Sequence, residues 1–275
     1  MSSVQRLLDQ LEIRPKKSFG QNFLHHPESA KKILRWAGLT QKKTIIEIGP
    51  GLGALTEQLQ KHCETLICIE KDKKLETHLR ESFGHSQNFH LMMEDATLTD
   101  YRAIIKSDPV HIFSNLPYRV STKIIEQLLE HTSSIASMVF LLQEELVLRI
   151  CAEPKTKAFG RLSIWIQSLC DTRMGPRVPR GSFYPQPDVE SRLIELTPKK
   201  IPLIEPDIQQ GFFDWIALLF QGRRKTLFHQ LKKQKVSPSC LDHIQSNMGL
   251  LPTVRAEELN IPTLKQVYLT SLKKF

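Results

Sequence analysis

The stretch Thr44-Ile45-Ile46-Glu47-Ile48-Gly49-Pro50-Gly51-Leu52-Gly53 decides the fold. Its first half is an apolar run of strand length, and its second half is a glycine turn. A helical pattern follows over 52–62, with Leu52, Leu55 and Leu59 on one face. Strand, glycine turn, helix is the layout of a nucleotide-type cofactor site. Glycine admits φ > 0 and lets a ligand press against the main chain. The spacing is G-x-G-x-G, not the dinucleotide G-x-G-x-x-G. Helix N-terminal N–H groups there suit a carboxylate at least as well as a pyrophosphate.

Outward from this stretch, apolar runs alternate with helical patterns. The runs are 65–69, 89–93, 110–113 and 138–142; the helical patterns cover 72–82 and 122–131. Such alternation predicts a mostly parallel sheet with helices on both faces. Two more helical stretches, 145–152 and 161–169, precede a proline-rich loop over 176–187 and a strand over 189–196. The order fits a Rossmann-like sheet finishing in a β-hairpin. Pro198-Lys199-Lys200-Ile201-Pro202 reads as a linker. Beyond it Phe212, Phe213, Ile216 and Leu219 make one helical face; Ile261, Leu264, Val267, Tyr268 and Leu272 make another. Residues 1–200 are thus expected to form a cofactor-binding catalytic domain, with 1–26 a basic, partly loop-like segment. Residues 203–275 are expected to form a small all-helical domain.

The 275 residues carry a formal charge of +9, with 40% hydrophobic and 24% charged residues. Ordinary composition with excess positive charge favours a globular protein with an anionic partner. From Pro198 onward there are twelve Lys/Arg and six Asp/Glu, so two-thirds of the excess lies in the last quarter. A face that meets phosphates is implied. The five cysteines form no C-x-x-C pair, which argues against a disulfide framework or zinc site. No secretory h-region opens the chain, and the longest apolar stretch, 138–142, is far below a membrane span. A cytoplasmic protein with no membrane partner is expected. No coiled-coil pattern argues for more than a monomer.

Ligands of such folds bind beyond the carboxyl ends of the strands. The second strand ends at Glu70, whose two oxygens suit a pair of cis ribose hydroxyls. The third ends at Glu94-Asp95-Ala96, where Asp95 is either an acceptor for an adenine amino group or a turn residue. The fourth ends in Ser114-Asn115-Leu116-Pro117-Tyr118. Here Asn115 offers a neutral carbonyl acceptor. Pro117 removes an N–H and pushes Leu116 toward extended backbone, so that the Leu116 carbonyl can face a cleft. Tyr118 supplies a flat face. Two acceptors and a stacking platform suit a planar base with an exocyclic amine.

At these residues the chain resembles the S-adenosylmethionine-dependent rRNA adenine N6-dimethyltransferases, and within them the small-subunit (16S) enzymes of the kasugamycin-sensitivity family. The resemblance covers nearly the whole chain. It is carried by five motifs in order: Lys17 to Leu24, Glu47 to Thr56, Asn115-Leu116-Pro117-Tyr118, Phe183 to Ser191, and Gln221 to Leu227. The related 23S resistance methylases usually carry Ile where Leu116 stands. There are two departures. Ser114 stands where the family often has Gly, and His25-His26 replaces a more acidic or amide pair. No third ligand completes a site at the two histidines, so no metal is expected.

The resemblance implies a class I methyltransferase sheet and S-adenosylmethionine as cofactor, with S-adenosylhomocysteine as product. It implies cofactor contacts from Asn22, Leu24, Gly49, Gly51, Glu70, Asp95, Ala96 and Asn115. It assigns catalysis to Asn115 and Leu116, with Tyr118 and Phe183 sandwiching the target adenine, and RNA contact to Arg223, Arg224 and Lys225. The implied reaction dimethylates N6 of two adjacent adenosines in a 3′-terminal hairpin of 16S rRNA, in the assembling small subunit. The alternatives are a 23S methylase, a non-catalytic RNA-binding assembly factor, and a nicotinamide oxidoreductase. Asn115-Leu116-Pro117-Tyr118 argues against the first and last; intact Gly49, Glu70, Asn115 and Tyr118 argue against the second.

Overall fold

The computed structural model describes residues 3–16, 20–25, 27–105, 109–222 and 224–272. The chain divides into two units, one of residues 1–147 and 171–198, the other of 148–170 and 199–275.

In the first unit a seven-stranded sheet runs β4 (Phe89–Met93), β3 (Cys63–Glu70), β2 (Lys42–Ile48), β5 (Val110–Asn115), β6 (Ile135–Gln143), β9 (Ser191–Pro198), β7 (Cys170–Val178). Helices lie on both of its sides, among them α2 (Pro27–Trp36), α4 (Glu76–Phe83) and α6 (Ser121–Leu129). The pairs from β4 to β6 are parallel, and β9 joins β6 antiparallel. Ile45, Ile46, Glu47 and Ile48 are all buried, so β2 is covered on both faces. This explains why it reads as a continuous apolar run rather than an alternation. From β2 the chain progresses to one side through β3 and β4, then returns to the other through β5 and β6. The order therefore reverses between β2 and β5, and a ligand crevice is expected outside their carboxyl ends.

Two element boundaries differ from expectation. The helix expected over 52–62 is a turn, a short α3 (Thr56–Leu59) and a 3-10 turn over Gln60–His62. Gly51 and Gly53 hold φ of 58° and 86°, which no regular right-handed helix admits, so the helix starts late. The loop expected from Pro176 begins only after Val178, because β7 lies at the end of the sheet order. An edge strand tolerates Pro176, whose missing N–H would break an interior ladder. The opening segment also carries more structure than its composition suggests: α1 (Ser3–Gln10), and β1 (Phe23–Leu24) paired antiparallel with β8 (Phe183–Tyr184).

The second unit packs α8 (Arg161–Leu169), α9 (Pro206–Leu219), α10 (Leu227–Lys233), α11 (Pro238–Met248) and α12 (Ile261–Ser271) around Phe212, Ile216, Leu264 and Val267. Ser237 and Asn260 cap α11 and α12 by accepting from the N–H groups of Cys240 and Thr263. Gly249, at φ 59°, closes α11. Residues 148–170 were expected in the sheet domain but belong here. Ala152, Phe159 and Ile164 enter the helical core, and Leu203 N–H donates to the Ser168 carbonyl at 2.8 Å. Periodicity marks α8 as amphipathic but does not say which core its apolar face enters. Among the described residues no helix is long and apolar enough to cross a membrane.

Candidate active site

A cleft opens at the reversal point of the first unit. The glycine turn floors it: Gly49 has φ 69°, and a Cβ built there would meet nothing within 4 Å. Gly49 N–H donates to the Ile69 carbonyl at 2.9 Å, which holds the turn against the end of β3. Ser114 Oγ donates to the Ile48 carbonyl, so the serine found in place of glycine ties the ends of β2 and β5 together.

Glu70 lies at the end of β3, 7% exposed. Its Oε1 accepts the Asp72 N–H at 2.8 Å and its Oε2 the Gly51 N–H at 3.2 Å. Burial raises its pKa, and these backbone donors only partly offset the rise. The carboxylate is thereby oriented and keeps acceptor capacity for a hydroxyl. At the end of β4, Asp95 accepts Lys71 Nζ at 2.6 Å, and Thr97 N–H and Oγ1 at 2.9 and 2.8 Å. Burial opposes ionisation, but the Lys71 and Thr97 bonds win and hold its pKa below the usual range. Asp95 is thus both a turn residue and a wall of the cleft. Ala96 follows, its carbonyl accepting from Tyr101 OH at 3.0 Å.

Asn115 ends β5 and lines the cleft. Its Nδ2 donates to the Asn22 carbonyl at 2.9 Å, which assigns the amide orientation and leaves Oδ1 as an acceptor. Asn22 and Leu24 line the same cleft from the N-terminal segment. Leu116 is 1% exposed, its side chain anchoring the loop in the core. Tyr118 is half-buried, its OH within 2.7 Å of Ser191 Oγ at the start of β9. Phe183 lies against the N-terminal segment. It is 2% exposed and packs in a core cluster with Phe23 and Leu24, where β8 meets β1. A phenylalanine paired against β1 buries its apolar surface there.

Sequence reading gave no role to several residues at or next to the cleft. Gln21 and Arg119 line it, Arg119 exposed beside Pro117. Glu47, 1% exposed, accepts Thr56 Oγ1 at 2.7 Å and the Cys68 thiol at 3.5 Å, and burial pushes its pKa up to about 7. Asp72, 2% exposed, does not line the cleft but donates its N–H to Glu70 Oε1. An acidic residue inside an apolar strand was the available signal for Glu47, and an acid two positions past Glu70 the signal for Asp72.

In the second unit, Arg224 and Lys225 are exposed in the turn before α10. The Gly222 carbonyl closes that turn, accepting Lys225 N–H at 2.8 Å and Gln230 Nε2 at 3.0 Å. Arg223, and His26 of the histidine pair, lie outside the described residues.

The sequence profile described as ribosomal RNA adenine dimethylase matches residues 13–268. A ribosomal RNA small subunit methyltransferase A from Oceanobacillus iheyensis is 33% identical over 274 residues, covering 97% of this chain and 93% of the relative. One from Streptococcus thermophilus is 36% identical over 255 residues, covering 90% and 88%. Among solved structures, a dimethyladenosine transferase from Plasmodium falciparum superposes with a TM-score of 0.76 at 23% identity, covering 91% of this chain and 96% of that one. The 23S rRNA methyltransferase ErmE gives 0.69 at 21%, covering 92% and 100%, and these two likenesses establish the methyltransferase fold. With a profile match over most of its length and relatives above 30% identity along nearly all of it, the chain belongs to the ribosomal RNA adenine dimethylase family.

Proposed function

We propose that this protein transfers methyl groups from S-adenosylmethionine to N6 of two adjacent adenosines in a 3′-terminal hairpin of 16S rRNA during small-subunit assembly. The observation that carries the reading is the placement of Asn115, its amide oriented by Asn22, in one cleft with Glu70, Asp95 and the open backbone at Gly49. These residues fit an adenosyl cofactor. Gly49 and Gly51 leave room for its methionine part, Glu70 offers two oxygens to its ribose diol, and Asp95 with Ala96 faces its adenine. Asn22 and Leu24 cover it from the N-terminal side.

The bound cofactor supplies an electrophilic methyl on a sulfonium. Adenine N6 is a poor nucleophile because its lone pair is delocalised into the ring. Asn115 Oδ1 and the Leu116 carbonyl accept from the amine as it rehybridises and gains positive charge, so they favour that state over the planar one. The rigid Asn115–Tyr118 turn supplies alignment. Tyr118 supplies a stacking face for a base taken out of its helix, worth roughly 1–3 kcal/mol. Arg223, Arg224 and Lys225 contact phosphates. The protein works as a monomer in the cytoplasm, where its substrate is assembled.

The test is transfer of labelled methyl to unmethylated small-subunit particles, with large-subunit RNA as control and nucleoside analysis of the product. N6,N6-dimethyladenosine confined to small-subunit material is expected. Label only in the large-subunit control would reassign the target, and no label despite cofactor binding would make the protein a binding factor.

A further inference from the structure

Asp72 is a buried carboxylate that the proposed reaction does not use. It is 2% exposed, yet it sits between two distant parts of the chain. Its Oδ1 accepts Lys16 Nζ at 2.9 Å and its Oδ2 accepts Gln21 Nε2 at 2.9 Å, across 56 and 51 positions of sequence. Its own N–H donates to Glu70 Oε1 at 2.8 Å. Gln21 Oε1 accepts Lys16 N–H at 2.8 Å, so Lys16 and Gln21 are also joined to each other. Further along the segment, the Asn22 carbonyl accepts Asn115 Nδ2, and His25 N–H donates to the Ser182 carbonyl at 2.9 Å. Gln21 and Asn22 both line the cleft.

A buried carboxylate is retained at a cost unless it is paired and hydrogen-bonded. Among the described residues, the side-chain partners of Asp72 from outside its own turn are Lys16 and Gln21, both of the N-terminal segment. The same residue also fixes one oxygen of Glu70 through its main chain. The ribose end of the cleft and the attachment of Gln21 therefore meet at one residue.

We propose that Asp72 is a positioning residue that fastens Lys16 and Gln21 beside the ribose end of the cleft, and so couples adenosyl-ligand binding to that attachment. The inference rests on the reading of the cleft as an adenosylmethionine site. Coupling of this kind is reciprocal: whatever affinity the fastening adds to the ligand, the ligand adds to the fastening. A purely structural Asp72 would lower stability equally with and without ligand.

The test uses the full chain with S-adenosylhomocysteine as probe. Its Kd is measured by calorimetry, and the rate of trypsin cleavage after Lys17, a site every variant keeps, is measured with and without saturating probe. In the wild type the probe should slow that cleavage. D72N should weaken binding about tenfold and abolish the protection. K16M should act in the same direction and K16R should restore both, which keeps the question answerable if D72N fails to fold. Wild-type affinity and protection in D72N or K16M would overturn the role of Asp72. Absence of probe binding to the wild type would instead overturn the reading of the cleft.

Discussion

Asn115 and Asn22 stand 93 positions apart, and the carboxamide of one donates to the main-chain carbonyl of the other at 2.9 Å. The bond uses the amide nitrogen, so the oxygen is left for a donor in the cleft. Asn115→Ala should lower kcat by about a hundredfold or more, the scale of losing one preorganised polar group at the reacting atom. Affinity for S-adenosylhomocysteine should stay within a few-fold. Asn115→Asp should be no better, because its oxygen would face the Asn22 carbonyl without a proton between them. Methyl transfer near the wild-type rate by either variant, in single-turnover assays, would remove Asn115 from the reaction.

Two glycines of the same turn should fail in different ways. A Cβ at Gly53, where φ is 86°, would lie 2.3 Å from Phe83 Cε2, and that ring is 8% exposed against Phe89. Gly53→Ala should therefore cost roughly 2 kcal/mol or more through strain and overpacking. Gly49→Ala meets nothing within 4 Å and carries only the left-handed backbone penalty of about 1–2 kcal/mol. Its methyl group projects into space kept for the ligand, so ligand affinity should fall instead. Urea unfolding and calorimetry on both variants separate the two effects.

Phe183 tests whether a motif residue serves substrate or core. At 2% exposure among Phe23 and Leu24, Phe183→Ala should cost about 3–5 kcal/mol of stability in the absence of any RNA. A variant with unchanged unfolding midpoint but weakened RNA binding would return Phe183 to the stacking role.

Much of this was legible because the informative residues are local. Glycines at fixed spacing, and acids or amides at strand ends, announce a site wherever the strands pair in order. The hidden parts are those decided by distant packing. Nothing around Phe183 tells a rim aromatic from a core one until β1 is found beside β8. Nothing around residues 148–170 reveals that Phe159 and Ile164 enter the helical core. Asp72 gains its meaning only from Lys16 and Gln21, more than fifty positions away. The late start of α3 was readable in principle, since Gly53 within the supposed helix was itself the warning.

Arg224 and Lys225 are exposed and flank a turn closed by Gly222, which suits phosphate contact. Replacing both with Ala should weaken binding to small-subunit RNA and make the slope of log K against log salt shallower by about 1.5. Gly222 should be left alone in that experiment, because a Cβ there would lie 1.9 Å from Gln230 Nε2. An unchanged slope would mean that the two cations only solvate the turn.

Glu47 should make stability depend on pH in the direction opposite to an ion-paired acid. Burial raises its pKa from 4.5 to about 7, while the Thr56 and Cys68 bonds act against the rise. Between those values the folded state holds a proton that the unfolded state has lost, so stability falls as pH rises through the window. The penalty is absent below about pH 4.5 and complete above about pH 7, where the shift corresponds to at most about 3 kcal/mol. Glu47→Gln keeps an acceptor for Thr56 Oγ1 and cannot ionise. Its melting temperature, taken relative to the wild type, should therefore be similar at pH 5 and clearly higher at pH 8. Taking the difference removes the titration of groups that do not interact with Glu47; Glu70 does interact with it. A difference that does not change with pH would mean that Glu47 is charged throughout, held so by a partner in the folded cleft.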